Sequence, residues 1–139
     1  YLASQAGVDV EILVRGMCSL KPGVPGLSET VKVRSVLGRY LEHSRAFTFL
    51  GGGDPAVYIG SADMMHRNLD RRVEALVRLV QPDQIQEVND LFDLAMSDSA
   101  ASWHLDSNGE WHRHQYAQDG TRLVDVQDQL MRNIHAKRR

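Results

Sequence analysis

The stretch Tyr40-Leu41-Glu42-His43-Ser44-Arg45-Ala46-Phe47-Thr48-Phe49-Leu50-Gly51-Gly52-Gly53-Asp54-Pro55-Ala56-Val57-Tyr58-Ile59-Gly60 holds a clear fold signal and the most informative polar cluster of the chain. Arg45 to Leu50 is rich in aromatic and β-suited residues, Gly51-Gly52-Gly53-Asp54-Pro55 is turn material, and Ala56 to Gly60 begins a return strand, so the segment predicts a β-hairpin. The glycine run has neither the spacing nor the Lys-Ser/Thr pair of a Walker-type phosphate loop, which favours the hairpin turn. His43 and Arg45 are two residues apart, a spacing that puts both side chains on one face of a strand. Downstream, Gly60-Ser61-Ala62-Asp63 is expected to let backbone come close, and Arg67-Asn68-Leu69-Asp70-Arg71-Arg72 offers more donors. Arginine forks and a histidine that titrates near neutral pH suit an oxyanion such as phosphate. A lone histidine at a strand start is more often structural; its company moves the reading toward a phosphate-handling half-site.

Working back from this segment, Leu2 to Gln5 reads as a helix end stopped by Gly7. Val8 to Val14 alternates and then turns continuously apolar, which suits a strand buried on both faces. Arg15 stands at its carboxyl end, where ligands gather in open α/β sheets; a ligand contact and a surface ion-pair arginine both fit. Lys21 to Leu27, with two Pro and two Gly, is a shaped loop, and Ser28 is placed to cap a short helical turn. Lys32 to Gly38 reads as a strand or an irregular lead-in.

Working forward, Arg72 to Val80 alternates as a strand. Pro82 opens a helix to about Met96, with Ile85, Val88, Leu91, Phe92 and Ala95 on one face. Ser102 to Leu105 and Glu110 to His114 flank the turn Asp106-Ser107-Asn108-Gly109, a second hairpin. Asp119-Gly120 marks another turn, and Leu123 to about Ala136 is an amphipathic helix that packs Val126, Leu130 and Ile134. Lys137-Arg138-Arg139 reads as a solvated basic helix end. His104, His112 and His114 invite a zinc reading, but no cysteine or carboxylate is spaced as a fourth ligand; cross-strand packing with Trp103 and Trp111 is the better expectation, and no metal ligand is assigned.

The 139 residues make one domain's worth of chain, 42% hydrophobic and 24% charged, ordinary values for a globular domain. No apolar run approaches the roughly 20 residues that span a bilayer. Cys18 is the one cysteine, so an internal disulfide is impossible, and a buried inert thiol is expected. Net charge is −2, split as ten Lys+Arg against eight Asp+Glu in residues 1–80 and six against ten in residues 81–139. That imbalance is far from the basic footprint of a nucleic-acid module. The opening Tyr1-Leu2-Ala3-Ser4-Gln5-Ala6-Gly7 reads like the tail of a helix, which gives the expectation of a piece of a longer protein.

Three ordered blocks carry a resemblance: Arg15-Gly16-Met17-Cys18-Ser19-Leu20-Lys21-Pro22-Gly23, Gly38-Arg39-Tyr40-Leu41-Glu42-His43-Ser44-Arg45, and Tyr58-Ile59-Gly60-Ser61-Ala62-Asp63-Met64-Met65-His66-Arg67-Asn68-Leu69-Asp70-Arg71-Arg72-Val73-Glu74. The chain resembles the carboxy-terminal domain of bacterial polyphosphate kinases, enzymes that reversibly move the terminal phosphate of ATP onto polyphosphate. The match covers most of residues 1–99. It implies an α/β (α+β) fold, a phospholipase-D-like mixed sheet flanked by helices, with residues 1–139 forming the second such domain and residues 100–139 a hairpin-plus-helix extension. The phospholipase D pattern is His-x-Lys with an Asp five residues on, then Gly-Ser-x-Asn. Here His43 and Gly60-Ser61 keep their places, Arg45 replaces the Lys, Leu50 stands at the Asp position, and Asp63 replaces the Asn.

The resemblance further implies that Arg15 and His43 contact ATP phosphates, with His43 a catalytic residue. The phosphohistidine nucleophile, the magnesium-associated arginines and an adenine-stacking tyrosine are expected in upstream domains of the same protein. Arg45, Arg67, Asn68 and Arg71 are candidate phosphate or polyphosphate contacts. ATP, ADP and polyphosphate are the expected partners, Mg2+ the expected cofactor with its ligands elsewhere, and nucleic acid is not expected. A homo-oligomeric full-length protein in the cytoplasm is the expectation, with membrane association open. Two alternatives stay open: a non-catalytic polyphosphate- or nucleotide-binding module, and a phospholipase-D-type phosphodiesterase half-site.

Overall fold

The computed structural model describes residues 1–137. Its elements run α1 (Leu2–Gln5), β1 (Val10–Leu13), β2 (Val31–Ser35), β3 (Ala46–Phe49), β4 (Ala56–Gly60), α2 (His66–Leu69), β5 (Leu76–Arg78), α3 (Pro82–Met96), β6 (Ser102–Leu105), β7 (Trp111–His114) and α4 (Val126–Lys137). The chain divides into two compact units, residues 1–42 with the chain from Asp93 onward, and His43–Phe92. The strands form two sheets, β1-β2-β6-β7, which is mixed as expected, and β3-β4-β5. None of the described helices is long and apolar enough to cross a membrane. Arg138 and Arg139 of the basic terminal run lie outside the described residues.

In the first unit β1 pairs parallel with β2, and β2 pairs antiparallel with β6. The C-terminal hairpin thus continues the N-terminal sheet. β2 is central because its residues can be buried: Val31, Val33 and Leu105 form a cluster, with Val10, Ile12, Val14, Cys18 and Trp111 against it. β1 is not buried on both faces as expected. It is an edge strand, and its Glu11 faces outward to meet Lys32 at 3.3 Å. Cys18 is likewise only half-buried.

Ser28 caps no helix. It is fully buried, its hydroxyl donating to the Lys21 carbonyl and accepting from the Val24 amide, so it staples the Pro/Gly loop that leads into β2. Arg34 on β2 is buried too, and donates to the Ser97 carbonyl and to Asp98 Oδ1, each at 2.7 Å. The pairing holds the Asp98 carboxyl below its usual range and ties the central strand to the end of α3.

The second cluster packs Val36, Ala95, Ala100 and Val126 with Leu13, Leu94 and Leu130. Val126 and Leu130 therefore do what the helical periodicity asks, but Ile134 is 47% exposed and adds nothing to that core. α3 holds the expected bounds, with Ala95 buried and Ile85, Val88, Leu91 and Phe92 half-buried on its inner face. The β6–β7 register sets Trp103 opposite Arg113 and Leu105 opposite Trp111. Both indoles thus pack across the hairpin, Trp111 against Leu105 and Trp103 with the Arg113 guanidinium 5.5 Å from its ring centre. His104 and His114 stack at 4.0 Å.

The second unit is an antiparallel meander in which Val57 on the middle strand is fully buried. Gly51, Gly52 and Gly53 all adopt positive φ, the conformation side chains resist, which is why three glycines stand in this turn. β5 is only three residues long instead of the nine whose pattern alternates. Ahead of it the strand pattern is broken: Val73 is exposed, Glu74 binds Ser61 and Asn68, and the Ala75 carbonyl comes close to Gly60.

Two outcomes follow for stability. Ser28→Ala leaves the Val24 amide and Lys21 carbonyl without their partner and should cost about 1–3 kcal/mol, read as a lower urea midpoint. Burial first, then the Arg34 charge and His114, push the His104 imidazole down from 6.5 to about 4. Between those values the unfolded chain binds a proton that the folded chain excludes, so stability should fall as pH drops through that window. His104→Gln should flatten that part of the pH profile.

Candidate phosphate site

The groups expected to meet phosphate fall into two sets, one in each unit. In the first unit Arg15 follows the carboxyl end of β1 and is exposed. Its Nη1 donates to the Glu42 carbonyl at 2.9 Å. Arg15 and residues 36–42 line a cleft of about 300 Å3. Those residues form no helix or strand, so their backbone polar groups depend on partners from elsewhere in the unit. The Gln127 side chain supplies two: its Oε1 accepts from the Tyr40 amide at 2.9 Å, and its Nε2 donates to the Tyr40 carbonyl at 2.8 Å and, beyond the backbone, to Glu42 Oε1 at 2.6 Å.

In the second unit His43 and Arg45 meet just ahead of β3. Arg45 Nη1 lies 2.9 Å from His43 Nδ1 and also donates to the His43 carbonyl at 3.2 Å. The other side of the guanidinium grips Asp63 in two bonds, Nε to Oδ1 at 3.0 Å and Nη2 to Oδ2 at 3.3 Å. The Asp63 bonds raise the Arg45 pKa further, so its charge is permanent. A guanidinium can only donate, so in neutral His43 Nδ1 is the acceptor and Nε2 carries the proton. The structure therefore spends most of the Arg45 donors on orienting His43 and pairing with Asp63.

Asn68, on the short α2, is buried; its Nδ2 donates to Glu74 Oε1 at 2.8 Å, and its Oδ1 has no protein partner. Ser61 Oγ donates to the other Glu74 oxygen and accepts from the Ala75 amide. Those bonds, Ser61 first, hold the Glu74 carboxyl below its usual range. The close approach expected at Gly60 is real, but its partner is protein: an added Cβ would lie 2.6 Å from the Ala75 carbonyl oxygen. Arg67 and Arg71 are exposed. Leu50, at the position of the phospholipase D aspartate, is 72% exposed.

Sequence reasoning missed Asp63, Glu74, Glu42 and Gln127. One signal for the first was present: the two departures at the Lys and Asn positions of the phospholipase D pattern are Arg45 and Asp63, opposite charges that pair with each other. The hairpin also joins groups that the sequence spacing did not predict. Asp106, Glu110 and His112 are, among the described residues, the one set of side chains close enough to share a metal ion, with ligand atoms within 4.8 Å of one another. His112 Nε2 and Asp106 Oδ2 already hydrogen-bond at 2.9 Å, and Asp106 also accepts from the Asn108 and Glu110 amides. No comparable oxygen cage for magnesium stands beside Arg15 or His43 among the described residues.

The α+β fold, with its two sheets and flanking helices, is that of a phospholipase-D-like domain. The family model described as polyphosphate kinase C-terminal domain 2 matches residues 1–127. A polyphosphate kinase of Streptomyces coelicolor is 59% identical over 139 residues, all of this chain and 18% of that protein. Polyphosphate kinase 1 of Chlorobaculum tepidum is 50% identical over 111 residues, 80% of this chain and 16% of that protein. The crystal structure of the polyphosphate kinase from Porphyromonas gingivalis matches with a TM-score of 0.88 at 32% identity, covering 98% of this chain and 20% of that one. This chain belongs to the polyphosphate kinase carboxy-terminal domain family. It spans less than a fifth of the length of these two curated relatives.

The His43 geometry is directly measurable. At a pH where the imidazole is neutral, ¹⁵N-histidine spectra should show an unprotonated Nδ1 and a protonated Nε2 for His43. Arg45→Ala should relax that preference, because the donor that enforces the tautomer is gone.

Proposed function

We propose that this chain is the second phospholipase-D-like catalytic domain of a polyphosphate kinase and contributes phosphate contacts to a composite active site. The observation that carries the reading is the oriented His43: Arg45 occupies Nδ1 and leaves Nε2–H as a donor of fixed direction. In the parent protein a histidine of an upstream domain attacks the γ-phosphorus of ATP; the N–P bond forms as the bond to the ADP oxygen breaks. The phosphoryl group then passes to the oxygen at the end of a polyphosphate chain, and the same steps run in reverse.

Such transfer depends on positioning and on stabilising charge spread over the equatorial oxygens. His43 Nε2–H donates to an oxygen of the transferring group. Arg15 holds phosphate oxygens of the nucleotide, its own position set in part by the Glu42 carbonyl. Arg45 acts through His43, with its charge balanced by Asp63. Exposed Arg67 and Arg71 line the path of the polymer; Asn68, buried against Glu74, supports the turn that carries them. Magnesium, held by groups outside this chain, neutralises phosphate charge when bound. ATP, ADP and polyphosphate are the partners, and a cytoplasmic homo-oligomer is the setting. A phosphodiesterase reading is disfavoured because the Lys and Asp of its pattern are Arg45 and Leu50.

The test is phosphoryl transfer from ATP to polyphosphate by the full-length protein that carries this chain. Arg15→Ala and His43→Ala should each lower kcat/KM for ATP by about 10²–10³-fold, the range found for losing one donor to developing charge. The 139-residue chain alone should not label itself with radioactive γ-phosphate. Self-labelling would place the nucleophile here and overturn the assignment.

A further inference from the structure

We propose that Gln127, on α4, is a positioning residue for the phosphate site, acting through the loop from Gly38 to Glu42. The inference rests on reading Arg15 and His43 as ATP contacts. Gln127 is 7% exposed, and both amide protons and its carbonyl oxygen are engaged within that loop, 85 and 87 positions away in sequence. A buried amide so fully satisfied fixes what it binds, because moving either partner strands polar groups away from water. What it binds is the stretch that delivers the site. Glu42 gives its side chain to Gln127 and its carbonyl to Arg15, and the next residue in the chain is His43.

A second observation is independent of the hydrogen bonds. A Cβ on Gly38 would lie 2.2 Å from Gln127 Oε1 and 2.3 Å from its Cδ. The Gly38 backbone needs no left-handed conformation, so glycine stands there for room alone. Gly38 and Gln127 are a lock and its socket. This gives the C-terminal segment a role in catalysis: α4 packs Val126 into the core of the first unit, and the adjacent Gln127 reaches the loop.

The experiment uses the full-length protein, with kcat/KM for ATP measured well below the melting midpoint of each variant. Gln127→Ala should lower kcat/KM for ATP by about 10-fold or more, since misplacement by 1 Å costs on the order of 10²-fold. Gly38→Ala should give a similar loss, because its methyl group drives the amide out. In the Gln127→Ala background the Gly38→Ala change should add less than about 2-fold, as expected for residues that act as one unit. A merely stabilising contact would shift the melting midpoint and leave kcat/KM per folded molecule within about 2-fold of wild type; that result, multiplicative losses, or loss of folding in both single variants would overturn the proposal. A wild-type protein that transfers no phosphate from ATP would overturn the functional reading and this inference together, whereas an active wild type with unaffected variants sinks this inference alone.

Discussion

Residues 36–45 form no helix or strand, yet they carry the turn into His43 and form most of the cleft beside Arg15. A segment like this cannot satisfy its own backbone, and an irregular loop left to itself samples many conformations at a cost of about 1–2 kcal/mol of entropy per residue fixed. Two side chains resolve the problem in the first unit. Arg15 takes the Glu42 carbonyl, and Gln127 takes both polar backbone groups of Tyr40. The loop is therefore ordered by groups 27 to 87 residues distant, and the order of the site depends on the fold being complete.

The second unit meets the same need with charge. Arg45 spans His43 and Asp63, so one guanidinium both aims the imidazole and balances the charge of a carboxylate. Glu74 is balanced in another way, by donors from Ser61 and Asn68 that hold it ionised and fixed. Asp63 and Glu74 are thus each held by specific partners. Arg67, Arg71 and Arg72 are exposed beside them.

The elements legible in the sequence are those whose signals are local. The Gly51–Gly53 turn, the hairpin it closes, the bounds of α3 and the Asp106–Gly109 turn all follow from φ preferences and short-range periodicity. Errors arose where a long-range partner overrode the local pattern. Val73 to Ala75 alternate like a strand, but Glu74 is drawn to Ser61 and Asn68, so β5 starts only at Leu76. Ser28 has the look of a helix cap because a small hydroxyl before an acidic residue so often is one; burial against the Lys21 and Val24 backbone decided otherwise. The cross-strand packing expected of the two tryptophans is present, but their partners, Arg113 and Leu105, are set by a register that no sequence pattern specifies.

By itself, the sequence determined the chemistry on offer: an α/β chain, a histidine two residues from an arginine, an arginine after the first strand, and three motif blocks in the order of one family. Those features are fixed by residue identity and spacing along the backbone. Only the tertiary structure decided which of these groups are spent on the protein itself, that Arg45 serves Asp63 and His43, that Gly60 makes room for Ala75, and that Gln127 reaches back to the loop at Tyr40. The reason is physical: a hydrogen bond between residues 87 apart depends on how sheets and helices pack, and packing is set by the sum of burial over the whole unit, which no local window of sequence contains.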